Sequence, residues 1–192
     1  DVSTFEWSIG GTVVGTSDSL SGSFVKGDKA QCTITPFDGT DAGTPVSATR
    51  TIKNSPPSIA SVSVSPSSPV VADTLTCSYA GYADADSDSD ASTSEWFVNG
   101  SSAGLGGTLS SGFSGGDTVS CTVTPFDGSD SGTPVSSASV TVGNTAPSIL
   151  TVAITPDPAV VGDVLGCAYT GYFDLDGDAD ASTLAWTING TP

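Results

Sequence analysis

The sequence predicts an all-β protein built from tandem β-sandwich domains. Three observations predict it. Apolar and polar residues alternate along short runs rich in Ser, Thr and Val, and Gly (23) and Pro (12) separate those runs. One Cys, Trp and acidic-loop pattern returns every 89 to 90 residues. Trp7, Trp96 and Trp186 are equivalent, as are Cys32 and Cys121, and Cys77 and Cys167. Thr35-Pro36-Phe37-Asp38-Gly39 recurs as Thr124-Pro125-Phe126-Asp127-Gly128, and Tyr82-Ala83-Asp84-Ala85-Asp86 recurs as Tyr172-Phe173-Asp174-Leu175-Asp176. Residues 54–143 make one complete repeat; 1–53 match its second half and 144–192 its first. A repeat of this size buries a modest core and gains from a covalent staple.

About seven short strands, A to G, fit the complete repeat. Strand A lies near Ile59–Ser65, where Ser61-Val62-Ser63-Val64-Ser65 alternates with period two. B lies near Thr74–Ala80, C near Ser94–Asn99, F over Thr118–Thr124 and G over Val135–Val142, with a weak pair between Gly104 and Phe113. By the same alignment 1–53 supply strands C to G and 144–192 strands A to C. Cys77 falls on B, Trp96 on C and Cys121 on F. That order is the immunoglobulin-like signature, a Trp packed on an inter-sheet B–F disulfide. The alternative is a pair of buried thiols; the even Cys count in a secreted-looking chain favours the Cys77–Cys121 bond. Closing a loop of this length contributes about 3–4 kcal/mol by the chain-entropy argument.

Cys32 and Cys167 each sit in a half-repeat without its partner Cys, so their natural partners lie outside this segment. Two arrangements provide them: continuation into further repeats, or a neighbouring molecule that completes the split domain by strand complementation. Asp1–Val13 and Asp180–Pro192 cover the same part of the repeat, which would supply strand C twice and favours a window cut from a longer chain. The absence of Met and of a recognisable signal peptide also reads as a mature or internal segment.

Charge narrows the partners. Asp and Glu number 21 against 4 Lys and Arg, a net charge of −17, and no Lys or Arg follows Lys53. Phosphate recognition needs basic side chains, so nucleic acid and anionic membranes are not expected partners. No apolar run approaches a membrane-spanning length. With no His, general acid–base catalysis by imidazole and most zinc or copper sites are absent. A nucleophilic Ser has no His or nearby Lys in the complete repeat to activate it. A paired-carboxylate glycosidase would need an aromatic cleft, whereas the Trp residues read as core. No catalytic site is expected.

The acidic loops carry the remaining chemistry. Between strands B and C stand Asp84, Asp86, Asp88 and Asp90, repeated as Asp174, Asp176, Asp178 and Asp180. Carboxylates at alternate loop positions repel one another unless a cation neutralises them. Hard oxygen ligands on a flexible Gly/Ser loop suit Ca²⁺ better than Mg²⁺. An EF-hand is rejected: position six is Ser89 or Ala179, position twelve is Glu95 or Ala185, and no helices flank the loop. A second acidic loop, holding Asp127 and Asp130, follows strand F; in an immunoglobulin-like sandwich the B–C and F–G loops emerge at one end, where the linker Asn54-Ser55-Pro56-Pro57 also enters. The competing reading is a solvated loop whose Asp and Gly only make turns. Asn99-Gly100-Ser101 and Asn189-Gly190-Thr191 are glycosylation sequons, and Asn-Gly is equally a hairpin-turn signal.

Asp174-Leu175-Asp176-Gly177-Asp178, Trp186-Thr187-Ile188-Asn189-Gly190, Cys121-Thr122-Val123-Thr124-Pro125, Asp127-Gly128 and Asn144-Thr145-Ala146-Pro147 together resemble bacterial and archaeal surface-protein repeats, immunoglobulin-like modules akin to PKD and cadherin-like domains. Ser87 departs from the pattern that Gly177 keeps, which weakens the first calcium loop relative to the second. The resemblance implies an extracellular or cell-surface protein that self-associates or continues into identical repeats, with glycans as possible modifications or ligands. The leading expectation is a structural segment of a fibre, filament or stalk. An adhesin or glycan-binding module, or a non-catalytic accessory region of a secreted enzyme, are the alternatives.

Overall fold

A computed structural model describes residues 2–22 and 24–191. The fold is all-β, with antiparallel sheets and no helix among the described residues, so no helix is long and apolar enough to cross a membrane. The chain forms two compact units, one of Asp1–Ala60, Ala80–Thr93 and Thr124–Val135, the other of Ser61–Tyr79, Ser94–Val123 and Ser136–Pro192.

The first unit holds β1 (Thr4–Ile9), β2 (Thr12–Gly15), β3 (Lys29–Thr35) and β4 (Val46–Thr51) in the sheet order β2-β1-β3-β4. Gly10 and Gly11, at φ of 56° and 87°, make the two-residue turn that a tight hairpin requires. Trp7 lies opposite Cys32 on β3, and its indole N–H donates to the Ser17 carbonyl at 3.0 Å. This unit also gathers the loops 80–93 and 124–135, which carry the acidic residues.

In the second unit β5 (Ser61–Ser65), β6 (Leu75–Ala80) and β9 (Thr108–Leu109) form one sheet. The facing sheet holds β7 (Thr93–Val98), β8 (Ser101–Leu105), β10 (Thr118–Thr124) and β11 (Val135–Ser136), with β12 (Val140–Thr141) on β10. The predicted disulfide is present: Cys77 on β6 bonds Cys121 on β10 and joins the two sheets. Period-two alternation turns Val119, Cys121 and Val123 inward against Leu75, Cys77 and Trp96, all buried. Each such aliphatic side chain contributes about 1.5–3 kcal/mol through burial. The Trp96 indole N–H is satisfied by the Gly106 carbonyl at 2.9 Å, as a buried indole requires.

Two elements differ from the expectation. Strand G splits into β11 and β12, because Ser137 Oγ accepts the Cys121 N–H at 3.1 Å where a continuous ladder would offer a carbonyl. The middle pair begins earlier than Gly104, because Asn99 and Gly100, at φ of 51° and 78°, fold the chain straight back into β8. β13 (Thr151–Thr155) and β14 (Gly166–Thr170) form a separate antiparallel pair. Trp186 was expected in a core but is half exposed, since among the described residues no second sheet packs on β13–β14.

Candidate metal site at the acidic loops

The loop after β6 is wound by its own first carboxylate. Asp84 Oδ1 accepts the backbone N–H groups of Asp86 at 2.8 Å and Asp88 at 3.0 Å, an Asx-type turn. Ser87 sits at φ 63° and its counterpart Gly177 at φ 81°. The loss of glycine at this position therefore leaves the left-handed turn in place. The fold of the loop brings one oxygen each of Asp84, Asp86 and Asp88 within 4.8 Å of one another. Asp84 Oδ2 is buried and has no hydrogen-bond partner. Asp90 is turned to a different task, accepting from Ser92 N–H at 2.9 Å and Ser92 Oγ at 2.6 Å.

The F–G loop meets this one as the topology predicts. Ala91 N–H donates to the Phe126 carbonyl at 2.8 Å, tying the two loops together. Asp127 is buried; its Oδ1 accepts the Ser129 and Asp130 N–H groups at 2.6 and 2.7 Å. Asn54 reaches in from the linker, its amide donating to Asp127 Oδ2 at 2.7 Å and to Asp130 Oδ2 at 3.0 Å. That side-chain bond, more than the backbone donors, holds the Asp127 carboxyl below the usual carboxylate range. The next residue, Ser55, donates its backbone N–H to Asp86 Oδ2 at 2.6 Å.

One cation of the chain is present as well. The Lys26 ammonium is paired with Asp88 and donates to Asn54 Oδ1 at 2.9 Å. The bond to Asp88 pushes the Lys26 pKa up, with Asp86 and Asp127 adding attraction. Beneath the cluster, burial and the charges of Asp84 and Asp90 push the Tyr82 hydroxyl up. The roles of Lys26 and Asn54 were not foreseen from sequence. For Asn54 a signal existed, since it recurs as Asn144 in the second linker.

The second loop repeats the winding. Asp174 Oδ1 accepts from Asp176 N–H at 2.9 Å and Asp178 N–H at 3.1 Å, and Thr145 N–H donates to Asp176 Oδ2. Asp174 Oδ2 and Asp176 Oδ1 are buried without partners. Asp180 accepts from Tyr169 Oη at 2.7 Å and from Ser182 N–H at 2.9 Å. Among the described residues, only Asp84, Asp86 and Asp88 converge as a group of three within the distance given above. Where Lys26 stands in the first repeat, the second has Gly115, and a Cβ there would lie 2.9 Å from Asp176 Oδ1.

Three buried carboxylate oxygens without donors are costly in a chain of this charge, and they fit a hard cation. The Asp84, Asp86 and Asp88 triad could hold a metal ion. The sequon residue Asn99 is occupied structurally: its Nδ2 donates to Asp117 Oδ1 at 2.7 Å, and its Oδ1 accepts the Thr118 N–H at 3.0 Å. Asn189 takes the same left-handed turn at φ 51°. Compared with family models and with curated proteins, the chain matches none.

Proposed function

We propose that this chain is a structural segment of an extracellular fibre, filament or surface stalk, made of head-to-tail immunoglobulin-like repeats and without catalytic activity. The observation that carries the reading is one bond made twice: the linker N–H of Ser55 on Asp86, and that of Thr145 on Asp176. Each linker is fastened to the acidic loop of the repeat it enters, which is what a load-bearing series of modules needs. The disulfide supports an oxidising compartment. The resemblance to bacterial and archaeal surface repeats supports the cell surface.

Ca²⁺ is the proposed ion, held at the first loop by Asp84, Asp86 and Asp88 with Asp127 and Asp130 alongside, and at the second by Asp174, Asp176 and Asp178. It takes six to eight oxygen ligands in a flexible arrangement, matching loops with surplus carboxylate oxygens. Bound there, it supplies charge neutralisation that stiffens the linkers.

Two measurements test the proposal. Negative-stain microscopy of the native material should show fibres or rods rather than compact particles. Calcium at about a hundred times its dissociation constant should stabilise by about 2.7 kcal/mol, a melting shift of roughly 10 °C, reversed by EDTA. An unchanged melting curve with both reagents removes the ion from the reading.

A further inference from the structure

A lysine already stands where the first acidic loop gathers its oxygens. Among the described residues the pairing of Lys26 with Asp88 is the only ion pair, in a chain of net charge −17. The same ammonium donates to Asn54 Oδ1 at 2.9 Å. It therefore holds one carboxylate oxygen of the Asp84, Asp86 and Asp88 triad and one neutral amide oxygen beside it. Carboxylate and amide oxygens are the donors that a hard metal ion takes.

The turn that carries Lys26 is braced by its own backbone. Val25 N–H donates to Asp28 Oδ2 at 2.9 Å, Asp28 N–H to the Val25 carbonyl at 3.1 Å, and Gly27 N–H to the Ile52 carbonyl at 3.0 Å. The complete repeat builds the same turn before β10. Ser114 N–H donates to Asp117 Oδ2 at 2.7 Å, Asp117 N–H to the Ser114 carbonyl at 3.1 Å, and Gly116 N–H to the Val142 carbonyl at 2.9 Å. Gly27 and Gly116 hold matching left-handed φ angles of 89° and 86°. Residue 115 of that turn also meets an acidic loop, since a Cβ there would lie 2.9 Å from Asp176 Oδ1. The turn thus delivers one position to an acidic loop in both places, filled by Lys26 in one and Gly115 in the other.

We propose that Lys26 is the resident cation of the first loop and that a divalent ion enters by displacing it. The proposal rests on the calcium reading above and adds a competitor to it. While the ammonium is in place, Asp88 Oδ2 and Asn54 Oδ1 are occupied. Asp84 Oδ2, buried without a partner, takes no part in that pairing and is open to the incoming ion. On entry the lysine swings out on its flexible four-carbon stem while the braced turn stays, and both oxygens pass to the ion. A single and a double positive charge about 5 Å apart repel enough, even in water, to weaken binding about tenfold. A monovalent ion brings no more charge than Lys26 already supplies, so the exchange favours divalent ions.

The test titrates calcium chloride into the purified 192-residue chain and follows backbone amides by NMR, which reads the two loops separately. Ser55, Asp86 and Asp88 report the first loop; Thr145, Asp176 and Asp178 report the second. Lys26→Met keeps the length and removes the charge. It should tighten first-loop binding about tenfold and leave the second loop unchanged. Gly115→Lys installs the competitor against Asp176. It should weaken second-loop binding about tenfold and leave the first unchanged. In the parent, the Lys26 side-chain resonances should shift with the same constant as the first-loop amides. Equal first-loop constants in the parent and Lys26→Met overturn this proposal alone. So does a Lys26 side chain that keeps its resonances when the first loop saturates. No calcium-dependent shift in any of the chains removes the calcium reading, and this proposal with it.

Discussion

The backbone N–H of Ser55 lies 2.6 Å from a carboxylate oxygen of Asp86, 31 residues further along the chain. A hydrogen bond from a neutral donor to a charged acceptor contributes about 1.5–3 kcal/mol. Because the donor is main chain, no change of side chain at Ser55 removes it, save one. Ser55→Pro deletes the N–H, and it should lower stability by about 1–3 kcal/mol, read as a shift in the urea midpoint. Ser55→Ala should leave the midpoint close to the parent.

Acid should act through Asp127. Its folded pKa is depressed, chiefly by the Asn54 amide, so its contribution is full above the unfolded carboxylate value of about 3.9 and is lost as pH falls below that. In that window the unfolded state holds the proton and the native state does not, so stability rises with pH. Asn54→Ala should flatten the slope of stability against pH between about 4 and 2, measured against the parent by denaturant titration.

Gly132 stands against the linker. A Cβ at this position would lie 1.8 Å from the Pro57 carbonyl oxygen, a backbone atom that cannot swing aside. Gly132→Ala should cost about 1–3 kcal/mol or more by overpacking. Thermal melts of Gly132→Ala and of the parent provide the comparison.

Removing the disulfide tests the core directly. The bond spans a sequence separation of 44, and replacing Cys77 and Cys121 by Ala together should lower stability by about 3–4 kcal/mol. Non-reducing peptide mapping of the parent should recover Cys77 and Cys121 in one linked species.

Asn99 should resist replacement. It holds φ at 51° and bonds Asp117 and Thr118. Asn99→Ala should lose those bonds and add strain on the order of 1 kcal/mol for the left-handed backbone. Asn99→Gly should lose only the bonds, so melts should rank parent above Gly above Ala.

Much of this was legible in the sequence, for local reasons. Val119, Cys121 and Val123 declare an inward face by period two, and Cys77, Trp96 and Cys121 fall at the spacing of a two-sheet core. Asn99-Gly100 marks its own turn. The acidic loop was legible as a group of carboxylates, but not as the division of labour in which Asp84 winds the loop and Asp90 caps Ser92. Lys26 and Asn54 escaped because their partners lie 62 and 73 residues away, although the recurrence of Asn54 as Asn144 marked that position. The repeat itself hides Lys26, since its counterpart is Gly115.

That exchange of lysine for glycine makes the two loops unequal. The first carries a tethered ammonium against Asp88, a counter-ion that dialysis cannot remove. The second presents Asp176 to a bare glycine and depends on what the surrounding fluid supplies. The Ser55 tether therefore ends on a loop that carries its own positive charge, and the Thr145 tether on one that does not.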